Sequence, residues 1–172
     1  MKDLLLLRHA KSGWDDPELA DIDRPLNKRG RKAGVRLAAW FAARKCRPAL
    51  ILCSSARRTR ETLDLLLPTW PQPPEIRYQE RLYLAGSDEL LAALQELSDA
   101  IPSVLLIAHN PGLQELTLRL LPESEAALRT RIEAKFPTGA LARFSSRARS
   151  WSRLAPGKLK LTDYVTPAEL QE

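Results

Sequence analysis

The chain has 172 residues with 44% hydrophobic and 28% charged content, values typical of a globular protein, so we expect one domain over residues 1–172. Its net charge of +6 favours anionic partners without choosing among phosphorylated substrates, nucleic acid and acidic proteins. The apolar run at residues 4–7 is too short for a signal peptide or a membrane span, and Cys46 and Cys53 lack metal or redox spacing. We therefore expect a cytoplasmic protein with reduced thiols and no membrane partner.

The first predicted element is a strand at residues 4–7, where four leucines follow one another without polar alternation. This pattern is typical of a strand that is covered on both faces in a parallel sheet. Arg8 and His9 follow at the expected end of the strand. Because open α/β sheets hold their ligand sites at the carboxyl ends of strands, we expect both side chains to reach such a site. Taken alone, the pair fits equally well a solvated arginine and a histidine bonded to a nearby carbonyl.

A helix and a second strand follow the polar loop after Ser12. Asn27 is the predicted N-cap of the helix. Its buried face is predicted to consist of Val35, Leu37, Ala38, Trp40 and Phe41. Residues 49–53 predict a second buried strand, and helical spacing of leucines resumes at residues 63–66.

The rest of the chain continues the alternation of strands and helices. Strands are predicted at residues 76–78 and 104–108, and helices at 88–97, 113–121 and 124–132. Three short antiparallel strands are predicted at residues 139–144, 151–154 and 158–161, closing one edge. The order predicts a three-layer α/β/α sandwich on a mainly parallel sheet with antiparallel C-terminal edge strands.

Polar motifs stand at three of the predicted strand ends. They are Arg8-His9, the segment from Ser54 to Arg58, and His109-Asn110, so both histidines of the chain occupy equivalent positions. A metal site would need a third ligand, and no acidic residue flanks either histidine. The chain has no Gly-x-Ser-x-Gly motif for a serine nucleophile and no P-loop.

Phosphoryl transfer suits this set of side chains. Arginine guanidinium groups match phosphoryl oxygens bidentately. A neutral imidazole can accept the phosphoryl group covalently, and a second imidazole can donate a hydrogen bond to the same oxygens.

Four motifs in the right order resemble those of the histidine phosphatase superfamily, also called phosphoglycerate mutase-like. They are residues 7–12 (LRHAKS, with Ala10 where the family usually has Gly), 26–30 (LNKRG), 54–62 (SSARRTRET) and 108–111 (AHNP). With residues 23–26 (DRPL) and 136–140 (FPTGA), they resemble the SixA-type phosphohistidine phosphatases. The resemblance implies a phosphoglycerate mutase-like fold and a single histidine phosphatase domain.

The resemblance also implies roles for individual residues. His9 would be the nucleophile that becomes phosphohistidine, Arg8 and Arg58 would bind the phosphoryl oxygens, and His109 would donate to them. Ser12 would contact the substrate as well. Two positions differ from the family pattern, since Ser55 and Glu61 replace its Pro and Gln. Because Arg57 and Arg60 are close by in the sequence, the choice of Arg58 depends on the helix register.

Three further residues are less clearly assigned. Asn27, in the motif at the helix start, is a candidate substrate-binding residue as well as a cap. Larger members of the superfamily supply a general acid near the third strand, about where Glu80 stands, but a simple ion pair with Arg81 explains Glu80 equally well. Trp14 either lines the mouth of the site or packs on the first helix.

We therefore expect a phosphatase without metal or cofactor that hydrolyses phosphohistidine on a protein. The alternatives are a general phosphomonoesterase acting on small phosphorylated metabolites and a non-catalytic phosphate-binding or basic interaction module. The basic run at residues 143–160 is interpreted as a charged sheet edge rather than a nucleic-acid site, and we expect a monomer.

Overall fold

One mixed sheet of six strands forms the centre of the molecule. The computed structural model describes residues 1–171. The strands are β1 (Lys2–Arg8), β2 (Leu50–Ser54), β3 (Glu75–Gln79), β4 (Ser103–Ala108), β5 (Leu141–Ser146) and β6 (Lys160–Val165). Their spatial order is β3-β2-β4-β1-β5-β6. The pairs from β3 to β1 are parallel, whereas β5 is antiparallel to β1 and β6 to β5.

Two layers of helices cover the sheet. The helices are α1 (Lys28–Ala43), α2 (Arg57–Leu66), α3 (Ser87–Gln95), α4 (Gly112–Leu120) and α5 (Ala126–Ala134). In β1, Leu4 and Leu6 belong to the apolar core that includes α3 and α4, whereas Leu5 and Leu7 belong to the core that includes α1 and α2. Both faces of β1 are thus buried, which explains its unbroken leucine run. The predicted three-layer sandwich is confirmed.

The strand order brings the predicted site motifs together. β4 lies between β2 and β1, and all three are parallel, so their carboxyl ends meet at one edge of the sheet. β1 ends at Arg8, β2 at Ser54 and β4 at Ala108. The residues that follow these ends therefore face one another across short distances.

The start of α1 lies against the loop that follows β1. Asn27 caps the helix, because its Oδ1 accepts a hydrogen bond of 2.9 Å from the Gly30 backbone N–H. A Cβ atom at position 30 would stand 2.0 Å from the carbonyl oxygen of Lys11, so only glycine allows this close approach. The loop that carries Ser12 is thereby fixed against the helix.

Three predictions about individual segments are wrong. Residues 151–154 do not form a strand: Trp151–Arg153 is a short 3-10 helix, and the fully buried Trp151 donates its indole N–H to the Ile101 carbonyl at 2.8 Å. The last strand starts at Lys160 rather than at 158 and continues to Val165. Val35 is 59% exposed, so it does not belong to the buried face of α1.

Both cysteines are free thiols buried in the core beneath α1 and α2. Within residues 1–171, none of the helices has the length and apolar character that a membrane span requires.

Candidate active site

A cavity of about 370 Å³ opens at the carboxyl edge of the parallel strands. It is lined by Arg8, His9, Lys11, Ser12, Trp14, Asp21, Arg24, Arg58, Leu84, His109, Asn110 and Thr138. The structure thus brings five of the predicted site residues to one cavity.

Both ring nitrogens of His9 have a polar neighbour, and these neighbours fix its tautomer. Its Nδ1 lies 2.7 Å from the carbonyl oxygen of Ala10, which only accepts, so Nδ1 carries the proton. Its Nε2 lies 3.4 Å from the Nε–H of Arg58, which only donates, so Nε2 presents its lone pair. Burial, followed by the charge of Arg58, lowers the pKa of His9 to about 4 even though the bond to Ala10 opposes the shift. The ring is therefore neutral at neutral pH.

The turn that carries His9 is braced by its neighbours. The backbone N–H of Ala10 donates to Thr62 Oγ1 at 3.0 Å, and the N–H of Gly139 donates to the carbonyl of His9 at 2.9 Å. With these bonds on both sides, the imidazole is positioned by packed elements rather than by a free loop.

His109 faces His9 across the cavity, with the two ring centroids 5.3 Å apart. Its Nε2 lies 2.7 Å from Ser54 Oγ, and its Nδ1 lies 3.4 Å from the Nη2 of Arg58. Since the guanidinium only donates, Nδ1 is the unprotonated nitrogen and Nε2–H donates to the serine. Burial and the neighbouring His9 and Arg58 lower the pKa of His109 to about 3. A bound dianion would act in the opposite direction and favour a proton on Nδ1.

Arg58 lies at the centre of the cavity and is 2% exposed. It stands in the first turn of α2 and is the arginine of that turn that the helix buries. Its Nη1 donates to the Asp21 carbonyl at 2.7 Å and its Nη2 to Asp21 Oδ2 at 3.0 Å. Arg57 instead pairs with Glu61 at 2.6 Å on the exposed side of the helix.

Arg8 contributes a second guanidinium to the cavity. Its Nη1 donates to the Phe136 carbonyl at 2.9 Å, while its buried Nε has no hydrogen-bond partner within the described chain. Burial and the positive charge of Arg58 both lower the pKa of Arg8. Arg8 and Arg58 line the same cavity, so their positive charges repel each other. An anion bound between the two guanidinium groups would offset this repulsion.

Ser12 and Trp14 line the mouth of the cavity, and Arg24 joins them. Arg24 donates to Ser12 Oγ at 2.9 Å, and its guanidinium lies 3.4 Å above the ring centre of Trp14. Trp14 is 73% exposed and Leu84, on another side of the mouth, is 56% exposed. The mouth therefore combines two exposed apolar side chains with polar groups. Trp14 lines the mouth, which is the first of the two positions predicted for it.

Asn27 and Glu80 do not line this cavity. Both polar atoms of the Asn27 side chain are engaged, since Oδ1 caps α1 and Nδ2 donates to the Ser12 carbonyl at 3.4 Å. Glu80 is exposed at the start of a short 3-10 helix, Glu80–Leu82, that follows β3. The substrate-binding role of Asn27 and the acid role of Glu80 thus have no geometric support.

Asp21 is the main cavity residue that sequence reasoning missed. Its Oδ2 accepts a hydrogen bond from Tyr83 as well as the one from Arg58. Burial acts to raise the pKa of Asp21, but the bond from Tyr83 and the charge and bonds of Arg58 outweigh it and lower the pKa to about 2. The carboxylate is ionised and orients Arg58. Its signal in the sequence was weak, because it is one of several acidic residues in an irregular loop.

Among the side chains described for residues 1–170, no group of three or more His, Cys, Asp and Glu stands close enough together to hold a metal ion. The two histidines of the cavity are instead surrounded by guanidinium groups.

Comparison with known families gives a direct match. The family model of the histidine phosphatase superfamily (branch 1) matches residues 4–83, which contain most of β1 and all of α1, β2, α2 and β3. An uncharacterized protein of Mycobacterium tuberculosis is 35% identical over 164 residues, covering 94% of this chain and 99% of that protein. An uncharacterized chloroplastic protein of Arabidopsis thaliana is 30% identical over 177 residues, covering 95% of this chain and 77% of that protein.

Solved structures extend the likeness to nearly the whole chain. A candidate phosphohistidine phosphatase SixA from Agrobacterium tumefaciens is 30% identical with a TM-score of 0.82, covering 96% of this chain and 98% of that one. The protein histidine phosphatase SixA in complex with tungstate is 23% identical with a TM-score of 0.79, covering 98% of this chain and 99% of that one, and shares the fold.

Proposed function

Because this chain belongs to the histidine phosphatase superfamily, and within it to the SixA type, we propose that it removes the phosphoryl group from phosphohistidine on a protein. His9 is the proposed nucleophile, and one histidine phosphatase domain spans the chain. The observation that carries the proposal is the orientation of His9, whose Nδ1 is bonded to Ala10 while Nε2 faces the cavity beside Arg58.

In the first step, Nε2 of His9 attacks the phosphorus atom of the substrate. The new N–P bond forms as the N–P bond of the substrate phosphohistidine breaks, and the electron pair of that bond stays on the departing imidazole. The other ring nitrogen of the substrate takes a proton from solvent, which a histidine ring with a pKa of about 6.5 allows, so the departing group is a neutral imidazole. The neutral state of His9 supports this step, because a protonated imidazole has no lone pair to attack with.

The positive side chains of the cavity stabilise the phosphoryl group during transfer. Arg58 and Arg8 are proposed to bind its oxygens, because both residues line the cavity. His109 is proposed to donate from Nδ1 once the dianion favours its protonation. Asp21 keeps Arg58 oriented and does not touch the reacting atoms. This arrangement supplies the charge stabilisation without a metal ion.

In the second step, water hydrolyses the phosphohistidine formed on His9. The water oxygen bonds to phosphorus, the P–Nε2 bond breaks, and its electron pair returns to Nε2. The proton of the water leaves to solvent, so that orthophosphate and neutral His9 are the products.

The choice of phosphohistidine over alkyl phosphate depends on the leaving group. An alkyl ester departs as an alkoxide, whose basicity is close to that of hydroxide, since water has a pKa of about 15.7. Such a group needs a positioned acid, which is worth roughly 10²–10⁴ in rate. The carboxyl of Asp21 is held ionised with a pKa of about 2, and Glu80 is exposed away from the cavity. A substrate that leaves as an imidazole does not need this acid.

The proposal is tested by comparing kcat/KM for a phosphohistidine and a phosphoserine peptide in wild type and in Glu80→Gln. We expect wild type to have a kcat/KM for a phosphohistidine peptide that exceeds its value for a phosphoserine peptide of the same sequence by about 10² or more. Glu80→Gln should leave both values nearly unchanged, because Glu80 does not line the cavity. The measurement is kcat/KM for both substrates with both proteins.

Two outcomes would contradict the proposal. Equal rates on the two peptides would favour a general phosphomonoesterase. A selective loss of phosphoserine hydrolysis in Glu80→Gln would make Glu80 the general acid. Arg81→Gln is the matched control, since it removes the neighbouring charge, which pairs with Glu96 on the surface.

A further inference from the structure

A larger groove of about 880 Å³ lies beside the catalytic cavity and shares Arg8, Lys11 and Thr138 with it. Seven of the side chains that line this groove are basic. Among the described residues that line it, Glu169 is the one acidic side chain. Glu169 is already engaged, because it pairs with Arg131 and accepts from the Thr166 N–H at 2.8 Å. The groove is therefore a strongly positive surface that leads directly to His9.

One side of the groove is a row of basic residues on α1. Arg29, Lys32 and Arg36 are three and four residues apart, so they occupy one face of the helix. Within residues 1–170 their side chains make no ion pair or hydrogen bond. Arg29 to Arg36 spans about 10 Å along the helix axis at roughly 1.5 Å per residue.

This row is unfavourable for the isolated helix. Like charges at these spacings destabilise a helix, and positive charges near its N-terminus oppose the helix dipole. The first turn of α1 contains no acidic residue, and Lys28 and Arg31 add further positive charge there. A negative partner in the groove would remove this repulsion.

We propose that the groove binds an acidic segment of the protein whose phosphohistidine enters the catalytic cavity. This inference rests on the proposed function and adds the class of sequence that flanks the target histidine. An extended peptide rises roughly 3.3 Å per residue. Carboxylates at every second residue of such a peptide would therefore meet the basic row on α1, and the next one would meet Lys11 where the groove joins the catalytic cavity.

The groove fits an extended acidic chain better than a nucleic acid. Binding of single strands relies on aromatic faces on which bases stack. The aromatic residue of the groove, Tyr164, is 9% exposed, its ring stacks on Phe136 at 5.8 Å, and the guanidinium of Arg131 lies 4.7 Å from its ring centre. Its faces are occupied, so the groove offers charge without a stacking surface.

The first measurement is binding without catalysis. The probes are two fluorescent, unphosphorylated peptides of the same length, one containing a run of glutamates and the other glutamines in their place. We expect fluorescence anisotropy at low salt to give a Kd for the glutamate peptide about tenfold lower, with the difference shrinking as salt is added. The variant with Arg29→Gln, Lys32→Gln and Arg36→Gln should lose most of this difference.

A matched control removes three charges elsewhere. The variant with Arg147→Gln, Arg149→Gln and Arg153→Gln has the same net charge, and these exposed residues do not line the groove. It should keep the preference for the glutamate peptide. Equal losses in the two variants, or no preference in wild type, would overturn the proposal. Tighter binding of an oligothymidylate of equal length, lost in the α1 variant, would also overturn it in favour of nucleic acid.

The second measurement connects the groove to catalysis. Wild type should hydrolyse a phosphohistidine peptide flanked by glutamates with a kcat/KM about tenfold above that of the glutamine version. The α1 variant should lose this ratio while hydrolysing phosphoramidate at the wild-type rate, which also shows that it is folded. Glutamate binding without a kinetic preference would overturn the link to the substrate. If neither phosphohistidine peptide is hydrolysed, the proposed function fails, while the binding data still decide whether the groove takes acidic segments.

Discussion

Two neutral imidazoles present their lone pairs to one guanidinium. His9 uses Nε2 and His109 uses Nδ1, and Arg58 stands between them at 3.4 Å from each. The sequence was sufficient to predict that these three residues meet, because all of them follow predicted strand ends. It was not sufficient for Asp21, which orients Arg58 from an irregular loop where neither periodicity nor a motif singles out one of several aspartates.

The lowered pKa values of the two histidines predict how stability depends on pH. Unfolded histidines have a pKa near 6.5, whereas His9 and His109 in the folded protein have pKa values of about 4 and about 3. Between these values the unfolded chain binds more protons, so the free energy of unfolding decreases as the pH falls from 7 to 5. We expect a loss on the order of 1–2 kcal/mol for each histidine.

Urea unfolding of wild type and of a His9→Gln, His109→Gln variant at pH 7 and pH 5 measures this dependence. The variant should lose much less stability than wild type over this interval, because glutamine does not titrate. An equal loss in both proteins would show that other groups cause the pH dependence.

Among the helices and strands, the start of α1 is the clearest prediction from sequence. Asn27 was predicted both to cap α1 and to bind substrate, and the structure supports the first role alone. The C-terminal third was harder, since Trp151–Arg153 has the apolar and aromatic content of a strand but folds as a 3-10 helix. The Trp151 indole is buried against the Ile101 carbonyl, which is far away in the sequence. Local strand propensity cannot predict such a contact.

Replacing Asn27 separates its two predicted roles. Asn27→Ala should lower the free energy of unfolding by about 1 kcal/mol, because it removes the cap of α1. Asn27→Ser, which keeps a capping oxygen, should recover most of this loss. Both variants should retain a KM for a phosphohistidine peptide close to that of wild type. A large rise in KM in the two variants alike would restore Asn27 as a substrate-binding residue.

At the scale of the whole molecule, the site depends on the order of the strands. The rule that ligands bind at the carboxyl ends of parallel strands predicted which residues converge. The order β2-β4-β1, which sets their spacing, is decided by long-range packing of two separate apolar cores. The basic groove between α1 and the region after α5 was also beyond sequence reasoning, because its side chains come from segments about a hundred residues apart.

If His9 carries the phosphoryl group, the covalent intermediate can be trapped on it. Wild type is mixed with a phosphohistidine peptide in excess EDTA, quenched rapidly in base, and digested for mass spectrometry. Phosphohistidine is labile in acid and stable in base, so we expect a phosphoryl label on His9 without any added metal. In His9→Ala, label and turnover should both disappear. A label on another residue, or turnover above about a tenth of the wild-type rate in His9→Ala, would show that His9 is not the nucleophile. Activity that requires a divalent ion would contradict the metal-free mechanism.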